Sequence, residues 1–89
     1  MPIFFKSKVK NKKYAVRYNN KIINFGDSRY TQYKDSTGLG LYTNLNNNDK
    51  KRRASYIARA SKIKNKEGQL TASLKSSANY YALRYLWSL

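Results

Sequence analysis

An excess of cation that the chain cannot neutralise from its own sequence limits what it can fold into. Nineteen Lys and Arg face four acids, Asp27, Asp35, Asp49 and Glu67, leaving a formal charge of +15 on 89 residues. Self-repulsion on this scale opposes compaction, and a polyanion relieves it. The chain is nevertheless 40% hydrophobic, which argues against full disorder. Nine tyrosines, three phenylalanines and one tryptophan can supply a core. A chain of this length forms one domain at most and buries roughly 60–65% of the surface its unfolded form exposes.

Periodicity divides the chain. Residues 2–26 alternate with period two: Ile3, Phe5, Ser7 and Val9; then Tyr14, Val16 and Tyr18; then Ile23 and Phe25. Lys10-Asn11-Lys12 and Asn19-Asn20 break the runs, and asparagine tolerates the positive φ of a tight hairpin turn. The pattern predicts a three-stranded antiparallel meander. Residues 27–48 carry turn chemistry, with Tyr30, Tyr33, Leu39, Leu41, Tyr42 and Leu45 expected to anchor a long loop on the core, around one short helical turn. Residues 49–66 read as a basic helix, capped by Asn48 or Asp49 and stopped by Gly68. Its expected inner face is Ala54, Ile57, Ala60 and Ser61, opposite Arg52, Arg59, Lys62 and Lys66. Residues 76–89, capped by Ser76 or Ser77, read as a second helix that is apolar nearly all round. The fold class is α+β: meander, anchored loop, two helices.

The candidate binding residues follow from charge. Lys50, Lys51, Arg52 and Arg53, with Arg59, Lys62 and Lys66, form a helix surface able to track phosphates, arginine gripping them bidentately. The plain alternative is a solvated helix face, but the near absence of acids favours the first reading. Lys6, Lys8, Lys10, Lys12, Lys13 and Lys21 lie on the meander's wet face, where they extend the positive surface or guard the sheet edge against pairing; both readings stand. Tyr30, Tyr33 and Tyr42 are the tyrosines placed to stack on bases, although core packing is the commoner use of such rings. Tyr81, Tyr85, Leu86, Trp87 and Leu89 form an apolar terminus that is either core or a docking surface for a partner.

Other classes of function fit poorly. With no His and no Cys, the commonest proton shuttle and the commonest metal ligands are missing. Lys34-Asp35-Ser36-Thr37-Gly38 with Gly40 has the composition of a phosphate loop without its spacing. No catalytic residue, metal ligand or cofactor is therefore expected. No apolar run approaches the ~20 residues that span a bilayer, and the N-terminus lacks the apolar stretch of a signal peptide. A protein that is not secreted and does not insert in a membrane is expected.

Several short motifs carry a resemblance. They are Phe25-Gly26-Asp27-Ser28-Arg29-Tyr30, Tyr33-Lys34-Asp35, Gly38-Leu39-Gly40-Leu41-Tyr42, Asn48-Asp49, Arg52-Arg53, Tyr56, Arg59 and Leu86-Trp87. In this order, over roughly residues 22–87, they resemble an uncharacterised family of small basic proteins of large double-stranded DNA viruses of algae and protists. Members often carry His where this chain has Asn47 and Ala60. The resemblance implies a viral origin and a place in the virion or the viral factory, but no activity. The leading expectation is a non-enzymatic structural protein that binds the genome, DNA first, through phosphate contacts. The rival is a minor capsid or cement protein whose basic face meets acidic capsid subunits while the apolar terminus docks. A ribonucleoprotein component fits the composition but not the resemblance.

Overall fold

The computed structural model describes residues 2–89. An antiparallel sheet opens the chain, with β1 (Phe4–Lys6), β2 (Lys12–Tyr18) and β3 (Lys21–Asp27) in the order β1-β2-β3. Asn19 and Asn20 turn β2 into β3 at φ 48° and 62°. Two-residue hairpins favour this left-handed geometry, and asparagine adopts it more readily than other side-chain-bearing residues. The register sets Phe4 beside Val16, Val16 beside Ile23 and Tyr14 beside Phe25. These five positions alternate along the strands and make one apolar face, on which Tyr14, Val16 and Phe25 are fully buried.

Helix α2 (Ala78–Tyr85) covers that face, with the Ser77 side chain accepting the Asn79 N–H at its start. Tyr81, Ala82, Leu86 and Trp87 complete the core. Its rings meet edge to face, Phe4 against Phe25 at 5.6 Å and against Tyr85 at 4.5 Å between centroids. Such pairs add to the gain from burial. The expectation of a docking terminus is corrected here. Tyr81, Leu86 and Trp87 are buried in this domain, Tyr85 packs on Phe4, and Leu89 alone of the five is exposed. A segment apolar on all sides has found its partner within its own fold. The helix also ends at Tyr85 rather than running to 89, and the Leu89 N–H closes the tail on the Leu83 carbonyl at 3.0 Å.

The long connection is anchored, though mostly by hydrogen bonds. Tyr33 and Tyr42 pack on the core, whereas Tyr30, Leu39 and Leu41 are exposed. Lys34 and Ser36 donate backbone N–H to the Leu86 and Tyr85 carbonyls at 3.0 and 2.8 Å. Gln32 and Asn47 close the loop on itself, donating to the Leu45 and Gln32 carbonyls at 3.1 and 2.8 Å. Thr43–Leu45 supplies the short helical turn. A loop lying on the core must satisfy its backbone in this way.

Helix α1 (Lys50–Ala60) begins where expected, with the Asp49 carboxylate accepting from the Lys51 and Arg52 N–H groups. It stops eight residues before Gly68. After Ala60 the chain turns into a small hairpin, in which Thr71 N–H donates to the Ile63 carbonyl at 2.9 Å and Lys64 bridges Leu70. Asn65 Oδ1 accepts from Glu67 and Gln69 N–H, and Gly68 takes φ 78° at the tip. Gly68 thus serves the hairpin rather than the helix. The packed stripe of α1 also differs from the expected one. Ala54 is exposed, while Arg53, Tyr56, Ile57 and Ala60 face inward. No helix among the described residues is long and apolar enough to cross a membrane.

Candidate polyanion interface

Two stripes of α1 carry different work. Beside the packed stripe, Arg52, Ser55, Tyr56 and Arg59 share the i, i+3, i+4, i+7 spacing that puts side chains on one helix face. They line one side of a cleft of about 710 Å³. Asp27, Tyr30 and Thr31 line it from the end of β3 and the turn that follows. Buried Lys13, Ala82, Leu86 and Trp87 form its base. The Tyr56 and Trp87 rings stack there at 4.1 Å and 7°. Burial raises the Tyr56 phenol pKa, against the opposing pull of Arg59.

The alternation pattern fails at two places: in β1 it is Phe4 that is buried, while Ile3 and Val9 of the expected run are exposed, and in β2 it is Lys13. It was expected on the wet face with the other meander lysines, which are exposed, yet it is 1% exposed. Its stem crosses Gly26, where a Cβ would lie 3.2 Å from both Lys13 Cβ and Cδ and 2.8 Å from Leu86 Cδ1. Gly26 also has φ +78°, so that position needs glycine on two counts. The Lys13 ammonium donates to the Tyr30 carbonyl at 2.9 Å and to Gln32 Oε1. Gln32 Nε2 in turn donates to the Tyr42 carbonyl at 2.8 Å and to Asn46 Oδ1 at 2.6 Å. Desolvation lowers the Lys13 pKa to about 8, the charges of Asp27 and Asp35 working the other way.

These contacts fix the mouth of the cleft. Tyr30 N–H donates to the Asp27 carbonyl at 3.1 Å, and Arg29 N–H to Asp27 Oδ1 at 2.9 Å. Arg29 also grips the Asp27 carboxylate through Nε and Nη2, which holds the carboxyl down at about 2. Tyr30 is left 65% exposed, with the Arg29 guanidinium 5.8 Å from its ring centroid.

The predicted cations separate into three groups. Lys51, Arg52 and Arg59 are exposed and come together at the cleft, and Lys50 lies beside them at the exposed start of α1. Arg53 points inward instead. Its Nε and Nη2 donate to the Trp87 and Ser88 carbonyls at 3.0 and 2.7 Å, and it lies 5.5 Å from the Tyr33 ring centroid. It is a tether, so its expected phosphate role is corrected. Lys62 and Lys66 are exposed but lie beyond the helix and outside the cleft. Sequence reasoning missed Lys13, Ser55 and Tyr56 as cleft residues. The spacing of Ser55 and Tyr56 from Arg52 and Arg59 was the available signal.

The acids neutralise little of the surface. Two ion pairs occur among the described residues, Arg29–Asp27 at 2.8 Å and Arg52–Asp49 at 3.7 Å. Asp35 is taken up by the Tyr14 hydroxyl and by Thr37, whose N–H and hydroxyl donate at 3.0 and 2.6 Å. Burial, with that bond to Asp35, pushes the Tyr14 pKa up to about 12. No group of three or more metal-ligating side chains occurs among the described residues. Comparisons with protein-family models, with curated proteins and with solved structures find no match to this chain.

Proposed function

We propose that the protein is a non-enzymatic binder of nucleic acid, engaging phosphates through the exposed cations of α1 and of the hairpin that follows. The observation that carries this reading is the first turn of α1. Lys50, Lys51 and Arg52 follow one another there on the exposed side, and the capping Asp49 is the one acid beside them. A helix start favours anions, so cations placed there work against the helix, a cost that the single Asp49 carboxylate offsets in part. A bound phosphate chain reverses that penalty. The resemblance noted in the sequence supports a viral setting, with the genome as the polyanion and the virion or the viral factory as the place. The rival reading, a cement protein docking through its C-terminus, loses support because most of the docking residues are occupied in the core.

Lys50, Lys51, Arg52, Arg59, Lys62 and Lys66 are the exposed members of the candidate set. If each neutralises one phosphate, log K falls against log salt with a slope of roughly −5 on duplex DNA. Binding is then largely independent of sequence, because phosphate contacts carry no base information. Replacing Arg52 and Arg59 with Gln reduces the slope by about two and leaves the melting temperature nearly unchanged. Binding that survives high salt, or a slope indifferent to both substitutions, overturns the assignment.

A further inference from the structure

We propose that the cleft between α1 and the turn after β3 takes an unpaired nucleotide, so that the protein prefers single-stranded nucleic acid to duplex. The proposal rests on the nucleic-acid reading above and narrows it to one element of the strand. About 710 Å³ lies within the range of pockets that hold small organic ligands, roughly 300–1,000 Å³. The lining is divided as a nucleotide is divided. Lys51, Arg52 and Arg59 stand on the helix side and outnumber the one acid there, Asp49, so a phosphate is accommodated. Ala82, Leu86 and Trp87 at the base offer the apolar surface that suits a flat ring.

Tyr30 points to a base rather than to phosphate alone. The residue is 65% exposed, so core packing does not explain it, unlike Tyr33 and Tyr42, which pack on the core. Its backbone is held from both sides, by Lys13 at the carbonyl and by Asp27 at the N–H. An aromatic ring fixed at the mouth of a basic cleft is the arrangement that single-strand binders use for stacking. A duplex keeps its bases stacked and paired, so it reaches the cations without entering the cleft. A polyphosphate or an acidic peptide lacks the flat ring that Tyr30 and the apolar base would contact.

The test uses the full chain and its one tryptophan, Trp87, which lies in the cleft against Tyr56. Short oligo-dT, oligo-U of equal length, a duplex of equal length and inorganic polyphosphate are titrated at low ionic strength, with Trp fluorescence and anisotropy as readouts. The single strands are expected to bind about tenfold tighter than the duplex and to alter the Trp87 emission. Oligo-dU of equal length removes the thymine methyl from the comparison, so its ratio to oligo-U identifies the strand as DNA or RNA. Tyr30→Ala is expected to remove about tenfold of single-strand affinity while leaving duplex affinity unchanged, and Tyr30→Phe to retain it. Equal binding of all four ligands with unaltered emission, or a Tyr30→Ala variant that keeps the preference, overturns the cleft assignment and leaves the phosphate-binding reading standing. Failure to bind any of the four overturns both.

Discussion

The two helices of this protein are held by different chemistry. Helix α2 buries Tyr81, Ala82 and Leu83 and lies on the apolar face of the sheet. Helix α1 buries Ala60 alone. Its remaining attachments are partly polar or half-buried: Arg53 on the Trp87 and Ser88 carbonyls, Tyr56 on Trp87, and Ile57 against the core. A helix so rich in cations has little apolar surface to bury, so it attaches through one arginine, one ring stack and the small apolar contacts of Ile57 and Ala60, and leaves its other faces wet. The sheet and α2 supply the stability, and α1 presents the charge.

The strongest test of this division is to empty the core. Phe25 is fully buried and contacts Phe4, Tyr14 and Tyr81. Phe25→Ala is expected to destabilise by about 3–5 kcal/mol in chemical denaturation, the usual cost of lost burial plus cavity. In a chain this small that loss threatens folding altogether.

The second test acts on α1. Arg53→Ala removes two charge-assisted hydrogen bonds and is expected to cost about 1.5–3 kcal/mol. The effect should be local. Amide hydrogen exchange in α1 quickens, while the protected amides of β2 shift only with global stability. If Arg53→Ala costs as much as Phe25→Ala, or if both regions exchange as one unit, the division between a stabilising half and a presenting half is wrong.

What the sequence made legible follows the same division. The meander could be read because Tyr14, Val16, Ile23 and Phe25 alternate and Asn19-Asn20 suit a tight turn. The starts of both helices could be read because Asp49 and Ser77 are good caps. Alternation failed at Lys13, because a lysine next to an inward position is read as outward, and only the glycine at 26 makes room for its stem. Gln32 was invisible for a similar reason: it is buried through hydrogen bonds to five partners, Lys13, Tyr42, Leu45, Asn46 and Asn47. The end of α1 was misjudged because the stop is a tertiary event, the pairing of Ile63 and Lys64 with Thr71 and Leu70. The cleft was partly legible. Arg52 and Arg59 were named as exposed cations and Tyr30 as a stacking candidate, but the fold was needed to bring them together.

Lys13 is the cation on the wrong side of the division, and its effect on stability has a sign that can be worked out. Its pKa is about 8 in the folded protein, against an ordinary 10.5. Between those values the unfolded chain holds the proton more tightly, so stability rises as pH increases from about 8. Tyr14 acts the other way at higher pH. Its pKa of about 12 exceeds the ordinary 10, so the unfolded chain loses its proton first and stability falls between about 10 and 12. The contributions of these two groups together peak near pH 10. The neutralisation of surface lysines adds to the rise, but a Lys13→Met variant shares that contribution. The difference between the two proteins therefore isolates Lys13. The wild type is expected to gain on the order of 1–2 kcal/mol on the variant from pH 8 to pH 10 in urea denaturation. The absolute stability of the variant does not bear on this, since Met also strips a donor from Tyr30 and Gln32. Parallel pH profiles would mean that the Lys13 ammonium is hydrated, and the dry half of the molecule would then contain no buried charge.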